Sequence, residues 1–219
     1  MSAKEPGIVS RALFGAISVS AAVAVMAFFQ PSVIWTPQVW CIFVTGVLAN
    51  ALQPAYKPFE GSRTPEDKGT AAQILWSIQI CQVAAFLEAV LLRWPESFQW
   101  DAVASVAVFL MAVGLWIRTW AIRTLGRFFT WNVTVQEGQR VIREGPYRWV
   151  RHPSYTGAFL TYFSTILLFH SWWSLGLASV LMPWAFLRRI RHEEALLERS
   201  LEGYDVFKRE VKALIPWVL

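Results

Sequence analysis

No Asp, Glu, Lys or Arg interrupts residues 12–56, which read ALFGAISVSAAVAVMAFFQPSVIWTPQVWCIFVTGVLANALQPAY. A transmembrane helix needs about 20 predominantly apolar residues, so this segment is long enough for two. Gln30-Pro31-Ser32 predicts the reversal between a first span at about Arg11–Phe29 and a second at about Val33–Tyr56. A secretory signal peptide is disfavoured, because the apolar run exceeds the roughly 7–15 residues usual for such a signal.

The composition of the whole chain agrees with a membrane protein. Of its 219 residues, 55% are hydrophobic and only 16% are charged, whereas a soluble domain usually carries about 25% charged residues. This apolar content excludes a disordered chain. Cys41 and Cys81, the two cysteines, both lie in apolar segments, which excludes a secreted module built on disulfides.

Four more membrane-embedded helices are predicted downstream. A polar loop, Lys57–Lys68, precedes a third span at about Thr70–Leu92, and a fourth span covers about Ala102–Ile122. The uncharged segment Ser154–Leu187 is too long for one span and contains His170-Ser171-Trp172, so we interpret it as a tight helical hairpin. Its arms lie at about 154–169 and 173–187, and a charged helical tail follows. The predicted fold is an all-α integral membrane protein with about six membrane-embedded helices: four spans plus the hairpin, with a cytosolic cofactor-binding region and C-terminal helices.

The positive charges predict how these helices are oriented. In the topology above, all of the 20 Lys and Arg residues except Arg93 fall on one side of the membrane. Lys and Arg accumulate on the cytoplasmic side of membrane proteins, so this side is predicted to face the cytosol. The net charge of +5 is then a signal of orientation, and nucleic-acid binding is not predicted.

Two polar segments on that side contain the residues that suggest chemistry. Residues 145–157 read GPYRWVRHPSYTG, and residues 189–194, directly after the hairpin, read RIRHEE. Together they resemble the signature of the isoprenylcysteine carboxyl methyltransferase family of integral membrane enzymes, which is Arg-His-Pro-x-Tyr-x-Gly, an apolar hairpin and a Glu-Glu pair. The resemblance covers roughly residues 100–219.

The residues of the first motif also predict a local structure. Pro153 disfavours helix at the preceding His152, so the hairpin helix is expected to begin there. Ser154 and Tyr155 would then lie in its first turn, with backbone N–H groups available to a ligand. Taken alone, His152 and Tyr155 would suit ordinary packing at the membrane interface equally well.

The resemblance implies an S-adenosylmethionine site. The residues that match the family's cofactor-binding positions are Gln136, Gln139, Arg140, Val141, Ile142, Tyr147, His152, Pro153, Ser154, Tyr155 and Glu193. Gln139 departs from the family, which usually has His there, and Val141-Ile142 replaces a Leu-Val pair. The aliphatic pair keeps a shape that would flank an adenine ring. No metal site is predicted.

Arg189 and Glu193 are the predicted catalytic residues. They are four positions apart on one helix face, where a simple ion pair is the alternative interpretation. The resemblance implies that Arg189 contacts a substrate carboxylate and that Glu193 contacts the cofactor. An Arg leaving a membrane hairpin suits this role, because its guanidinium can bind a carboxylate through two parallel hydrogen bonds.

The activity implied by the resemblance is methyl transfer from S-adenosylmethionine to the C-terminal carboxylate of a prenylated cysteine, as in CaaX protein maturation, or to a small isoprenoid-thioether analogue. It would take place at the cytosolic face of the endoplasmic reticulum membrane if the source is eukaryotic. Residues 1–100 would form the scaffold and lipid path, and residues 101–219 the catalytic region. The alternatives are methylation of a phospholipid amine or isoprenoid acid, a sterol-reductase-like enzyme, and a non-enzymatic membrane adaptor.

Several polar residues receive no assignment from the sequence. Glu88 and Arg118 are ionisable positions near or inside spans, which makes them functional candidates by default, although Glu88 could equally reach the lumenal surface. Glu194 could brace the site and His192 could lie at the surface. The aromatic segment Leu125–Trp131 is predicted to lie at the interface and to line a lipid entrance.

Overall fold

The computed structural model describes residues 7–55 and 67–215. These residues form seven α-helices, short 3-10 turns and one π-helical turn at Glu88–Leu92, and the described part of the chain contains no strand apart from an isolated bridge between Val150 and Lys212. The helices are α1 Ile8–Phe29, α2 Pro37–Leu52, α3 Thr70–Leu87, α4 Ala102–Leu125, α5 Pro153–Leu168, α6 Trp172–Ser200 and α7 Tyr204–Glu210. The all-α prediction is confirmed.

Three of the predicted spans match helices that are long and apolar enough to cross a membrane, judged by length and composition. These are Ile8–Phe29, Thr70–Leu92 and Ala102–Phe128. The second predicted span is shorter than expected, because Pro31–Trp35 forms a 3-10 turn and α2 has only 16 residues. Of the predicted loop Lys57–Lys68, only Asp67 and Lys68 lie within the described residues. The number of spans stays a prediction.

The predicted reversal at His170-Ser171-Trp172 is confirmed, since α5 ends at Leu168 and α6 begins at Trp172, but one bound of the hairpin is wrong. Its second arm does not end at 187, because α6 continues for 29 residues to Ser200. Charged residues after 187 mark where the helix leaves the apolar layer, but Arg and Glu are good helix formers and do not end it. The two arms also pack mainly on other helices, since α5 lies along α4 and α6 lies along α3.

Two glycines allow the close approach of α4 and α5. A Cβ atom on Gly157 would lie 2.6 Å from the Gly114 carbonyl oxygen and the Arg118 amide nitrogen. A Cβ on Gly114 would lie 2.7 Å from the Gly157 carbonyl oxygen. Small residues at such crossings let two backbones touch, which is a common way of packing membrane helices.

We expect Gly157→Ala to destabilise the protein by about 1–3 kcal/mol, since the added methyl group forces α4 and α5 apart. The matched control is Gly176→Ala on α6, where a Cβ would meet nothing within 4 Å. That substitution is expected to be neutral or stabilising, because alanine favours a helix more than glycine does. Thermal unfolding in detergent measures both, and equal midpoints for the two variants would contradict the packing argument.

Glu88 connects the C-terminal end of α3 to the N-terminal end of α6. Its side chain is buried, and its carboxylate accepts hydrogen bonds from the Trp173 amide at 3.1 Å and from the Ser174 amide and hydroxyl, both at 2.8 Å. The positive end of the α6 dipole stabilises a carboxylate in this position. Glu88 therefore caps α6 and does not extend to the lumenal surface.

Candidate active site

One cavity of about 400 Å³ opens at the end of the bundle where α1, α3 and α5 begin and α2 and α4 end. It contains ten of the twelve residues predicted from the motifs, namely Gln139, Arg140, Val141, Ile142, Tyr147, His152, Ser154, Tyr155, Arg189 and Glu193. The other two, Gln136 and Pro153, do not line it. The fold thus brings together residues that span more than 50 positions of the chain, and their individual roles stay predictions.

The cavity has an apolar half between the helices. Its walls there come from α1, α3, α5 and α6, through Phe14, Ile74, Ile78, Ala158 and Phe186. The aromatic segment predicted to lie at the interface also contributes, since Leu125 and residues 128–131 line the cavity. A hydrocarbon chain suits such a surface, because apolar groups gain free energy on leaving water.

The other half of the cavity lies beneath the C-terminal helices. Leu201, Tyr204 and Phe207 form a small buried cluster there, and Val141 and Leu197 pack against it. All five line the cavity. The hydroxyl of Tyr204 is buried and has no hydrogen-bond partner among the described residues. Burial beside Glu194 and Glu193 raises the pKa of Tyr204, so this hydroxyl keeps its proton.

Arg189 stands between the two halves and is almost fully buried. Its Nη1 donates to the carboxylate of Asp67 and, at 3.0 Å, to the hydroxyl of Thr70. Its Nε donates to the Tyr155 hydroxyl and its Nη2 to the Trp131 carbonyl oxygen, both at 3.0 Å. Four of the five N–H groups of this guanidinium are thus engaged, and the remaining one, on Nη2, has no partner among the described residues.

Tyr155 connects Arg189 to Glu193. Its hydroxyl accepts the hydrogen bond from Arg189 and donates one of 2.6 Å to the Glu193 carboxylate. The simple ion pair between Arg189 and Glu193 is therefore not what the structure shows. The backbone N–H of Tyr155, predicted to be available to a ligand, instead donates to the His152 carbonyl oxygen at 3.0 Å.

Arg118 also lines the cavity, as Arg140 and Arg151 do, and the sequence left it unassigned. Its Nε donates to the Gln53 side chain at 3.0 Å, and its Nη1 donates to the carbonyl and hydroxyl oxygens of Ser154 at 3.0 and 3.1 Å. Its Nη2 has no partner among the described residues. Arg118 and Arg189 bind Ser154 and Tyr155, which are consecutive in α5, and both guanidinium groups line the cavity.

His152 lies at the start of α5, as predicted, with Pro153 as the first helical residue. Its Nε2 lies 3.0 Å from Oε1 of Glu194, and the Arg151 guanidinium lies 2.8 Å from the same carboxylate. Lys208 lies 3.2 Å from the other oxygen of Glu194. Glu194 therefore braces the site by joining α6 to the motif and to α7.

Stability should depend on pH through Glu194. Burial alone would raise its pKa, but the hydrogen bonds and positive charges of His152 and Arg151 lower it to about 2 from an ordinary 4.5. A lowered pKa in the folded state stabilises the protein above the unfolded pKa, here by about 3 kcal/mol. This contribution should be lost as the pH falls from about 4.5 to 2. Thermal unfolding across that range measures it, and Glu194→Gln should flatten the dependence.

Gln136 and Gln139 form the turn that precedes the motif. The Gln139 side chain accepts a hydrogen bond of 2.9 Å from the Gln136 amide, and the Gln139 amide returns one of 3.0 Å to the Gln136 carbonyl. Gly138 between them has a φ of 69°, a conformation that favours glycine. Gln139 thus holds this turn together in the position where the family usually has His.

Sequence reasoning missed Asp67 and Tyr204 and left Arg118 without a role. Asp67 is one of several acidic residues in a polar segment, and nothing in its neighbourhood marks it as the partner of Arg189. Arg118 did carry a signal, since an ionisable residue inside a span is expensive unless it is used.

The chain matches a known family over its second half. Residues 106–199 match the model described as the isoprenylcysteine carboxyl methyltransferase (ICMT) family. The matched range includes the complete Arg-His-Pro-x-Tyr-x-Gly motif, Arg189 and Glu193. The resemblance stated from the motifs is confirmed.

Individual relatives agree with this match. The protein-S-isoprenylcysteine O-methyltransferase of Saccharomyces cerevisiae is 33% identical over 146 residues, which are 65% of this chain and 61% of that enzyme. The enzyme of the same name from Homo sapiens is 27% identical over 146 residues, 64% of this chain and 51% of that one. The uncharacterized protein YpbQ of Bacillus subtilis is 28% identical over 119 residues, 54% of this chain and 66% of that protein. The matches thus span two thirds or less of these relatives.

Among solved structures, the chain is similar to one described as the eukaryotic intramembrane Ras methyltransferase ICMT without a monobody. The TM-score is 0.49 and the sequence identity 18%, with 92% of this chain and 85% of that chain covered.

Proposed function

We propose, from the family match over residues 106–199, that the protein transfers a methyl group from S-adenosylmethionine to the carboxylate of a prenylated C-terminal cysteine. The observation that carries the proposal is the cavity itself. One end suits a hydrocarbon chain, the other suits a nucleoside, and the guanidinium groups of Arg118 and Arg189 line the same cavity.

The residues beneath the C-terminal helices fit S-adenosylmethionine. The apolar cluster of Leu201 and Phe207, with Val141 beside it, offers flat surface for an adenine ring, and the unpartnered Tyr204 hydroxyl is a hydrogen-bond donor beside it. Glu193 supplies negative charge for the positively charged part of the molecule. When bound, S-adenosylmethionine supplies an electrophilic methyl group on a sulfonium.

The acceptor carboxylate would be held by Arg118 and Arg189. Both N–H groups on Nη2 of Arg118 and one on Nη2 of Arg189 remain for it, so Arg118 takes the larger share of the binding. The sequence assigned the acceptor carboxylate to Arg189 alone, and this proposal adds Arg118. Two cations in this position favour an acidic acceptor over a phospholipid amine, because like charges repel in a dry cavity.

No general base is needed for this reaction. A C-terminal carboxylate has a reference pKa near 3.3–3.7, so it is ionised at neutral pH and already nucleophilic. What the chain must do is hold the two reactants in line and exclude water, and such positioning lowers barriers by roughly 7–11 kcal/mol. The side chains of Tyr155 and Arg189 are suited to this work, because their hydrogen bonds hold them in place.

The proposal is tested with purified protein, S-adenosylmethionine labelled in its methyl group and N-acetyl-S-farnesylcysteine. We expect base-labile label in the farnesylated product with the wild type. Arg118→Gln should raise the KM for the acid by about ten-fold or more, because a charge-assisted hydrogen bond is removed, while leaving the affinity for S-adenosylhomocysteine unchanged.

Three results would count against the proposal in different ways. Absence of S-adenosylhomocysteine binding by the wild type would exclude a methyltransferase of this kind. If the wild type binds S-adenosylhomocysteine but methylates a phospholipid amine and not the farnesylated acid, the acceptor is a phospholipid amine. Equal KM values for the wild type and Arg118→Gln would remove Arg118 from the carboxylate site.

A further inference from the structure

A second concave surface lies between α2 and α4, on the outside of the bundle. It encloses about 630 Å³ and shares no lining residue with the candidate active site. Its walls are mostly apolar, with Trp40, Val44 and Leu48 from α2 facing Val108, Leu115 and Trp116 from α4. We call this surface the α2–α4 groove.

The groove has one polar end. Arg123 lines it there, exposed, and makes no hydrogen bond or ion pair with any described residue. Thr119 lies one helical turn deeper on the same face of α4, and its buried hydroxyl also has no hydrogen-bond partner among the described residues.

The groove is long enough to cross the hydrocarbon part of one leaflet of a bilayer. From Val108 to Arg123, α4 rises about 22 Å at 1.5 Å per residue, and half of a hydrocarbon core is about 15 Å thick. An acyl chain that starts at the polar end can therefore lie along the groove to the middle of the membrane. A water-soluble ligand would have no reason to occupy a surface lined by exposed Trp and Leu side chains.

We propose that the α2–α4 groove binds one anionic phospholipid, with an acyl chain along its apolar walls and the phosphate on Arg123. The unpaired guanidinium is complementary to an anionic headgroup, and Arg is well suited to phosphate because its N–H groups bind two oxygens at once. The site is separate from the proposed catalytic cavity, so it does not rest on the proposed function.

Native mass spectrometry of the detergent-purified protein tests this site. The protein is incubated with an equimolar mixture of phosphatidylglycerol and phosphatidylcholine, and the lipid that stays bound to each molecule is counted. We expect the wild type to keep one phosphatidylglycerol in preference to phosphatidylcholine. Arg123→Gln should lower that preference about ten-fold, and Ala112→Trp, which fills the groove, should lower retention of both lipids.

Arg127→Gln is the matched control. Arg127 is exposed four residues further along and stacks on the Phe128 ring at 4.8 Å, but it does not line the groove. Arg127→Gln should leave the preference for phosphatidylglycerol unchanged. The proposal is overturned if Arg127→Gln acts as strongly as Arg123→Gln, if Arg123→Gln retains the wild-type preference, or if Ala112→Trp keeps the full amount of lipid.

Discussion

Arg189→Ala is expected to lower the free energy of unfolding by about 3–5 kcal/mol, in addition to any effect on catalysis. Asp67 is completely buried, and the Arg189 guanidinium is the one cation that the structure places against it among the described residues. Removing the guanidinium leaves that carboxylate inside the protein without a counter-charge. Chemical or thermal unfolding in detergent measures the loss.

The neighbouring arginine provides the control. Arg188 binds the Gln73 side chain and the Lys68 carbonyl oxygen, which are neutral partners, so Arg188→Ala strands no charge. It should cost less than about 1 kcal/mol. Asp67→Asn added to Arg189→Ala should restore part of the stability, since it removes the stranded carboxylate. If Arg189→Ala proved as stable as Arg188→Ala, the buried pair would not carry the stability assigned to it.

Glu193→Ala is expected to weaken the binding of S-adenosylhomocysteine by about 10- to 100-fold while the protein stays folded. Hydrogen bonds to charged groups contribute about 1.5–3 kcal/mol, which corresponds to this range. Glu193 is only partly buried, and its partner within the protein, the Tyr155 hydroxyl, keeps the hydrogen bond from Arg189 when Glu193 is removed. Titration calorimetry with S-adenosylhomocysteine gives the affinity directly.

Glu198→Ala separates this effect from a general loss of negative charge on α6. Glu198 lies five residues further along the same helix, pairs with Lys208 at 2.8 Å and does not line the cavity. Its removal should leave the affinity for S-adenosylhomocysteine within about two-fold of the wild type, because exposed ion pairs contribute little. Equal losses for the two variants would assign the effect to charge in general and remove Glu193 from the cofactor site.

The tertiary contacts agree more closely with the role predicted for Glu193 than with the role predicted for Arg189. Glu193 lies in the cavity with its carboxylate bound by one tyrosine hydroxyl, which agrees with a role toward the cofactor. Arg189 lies there too, but most of its hydrogen-bonding capacity is used by Asp67, Thr70, Tyr155 and Trp131. Arg118, which the sequence marked only as an ionisable residue in a span, has more capacity left.

The sequence alone predicted the approximate positions of the helices and the motifs whose residues line the cavity. Uncharged segments of about 20 residues predict membrane helices because the bilayer excludes charge, and the Arg-His-Pro-x-Tyr-x-Gly motif is contiguous. Only the tertiary structure decided that α5 packs on α4, that α6 continues to Ser200, and that Asp67 meets Arg189 across 122 positions of the chain. Contacts at that separation depend on how helices pack, and local spacing carries no information about which buried cation an acidic residue reaches.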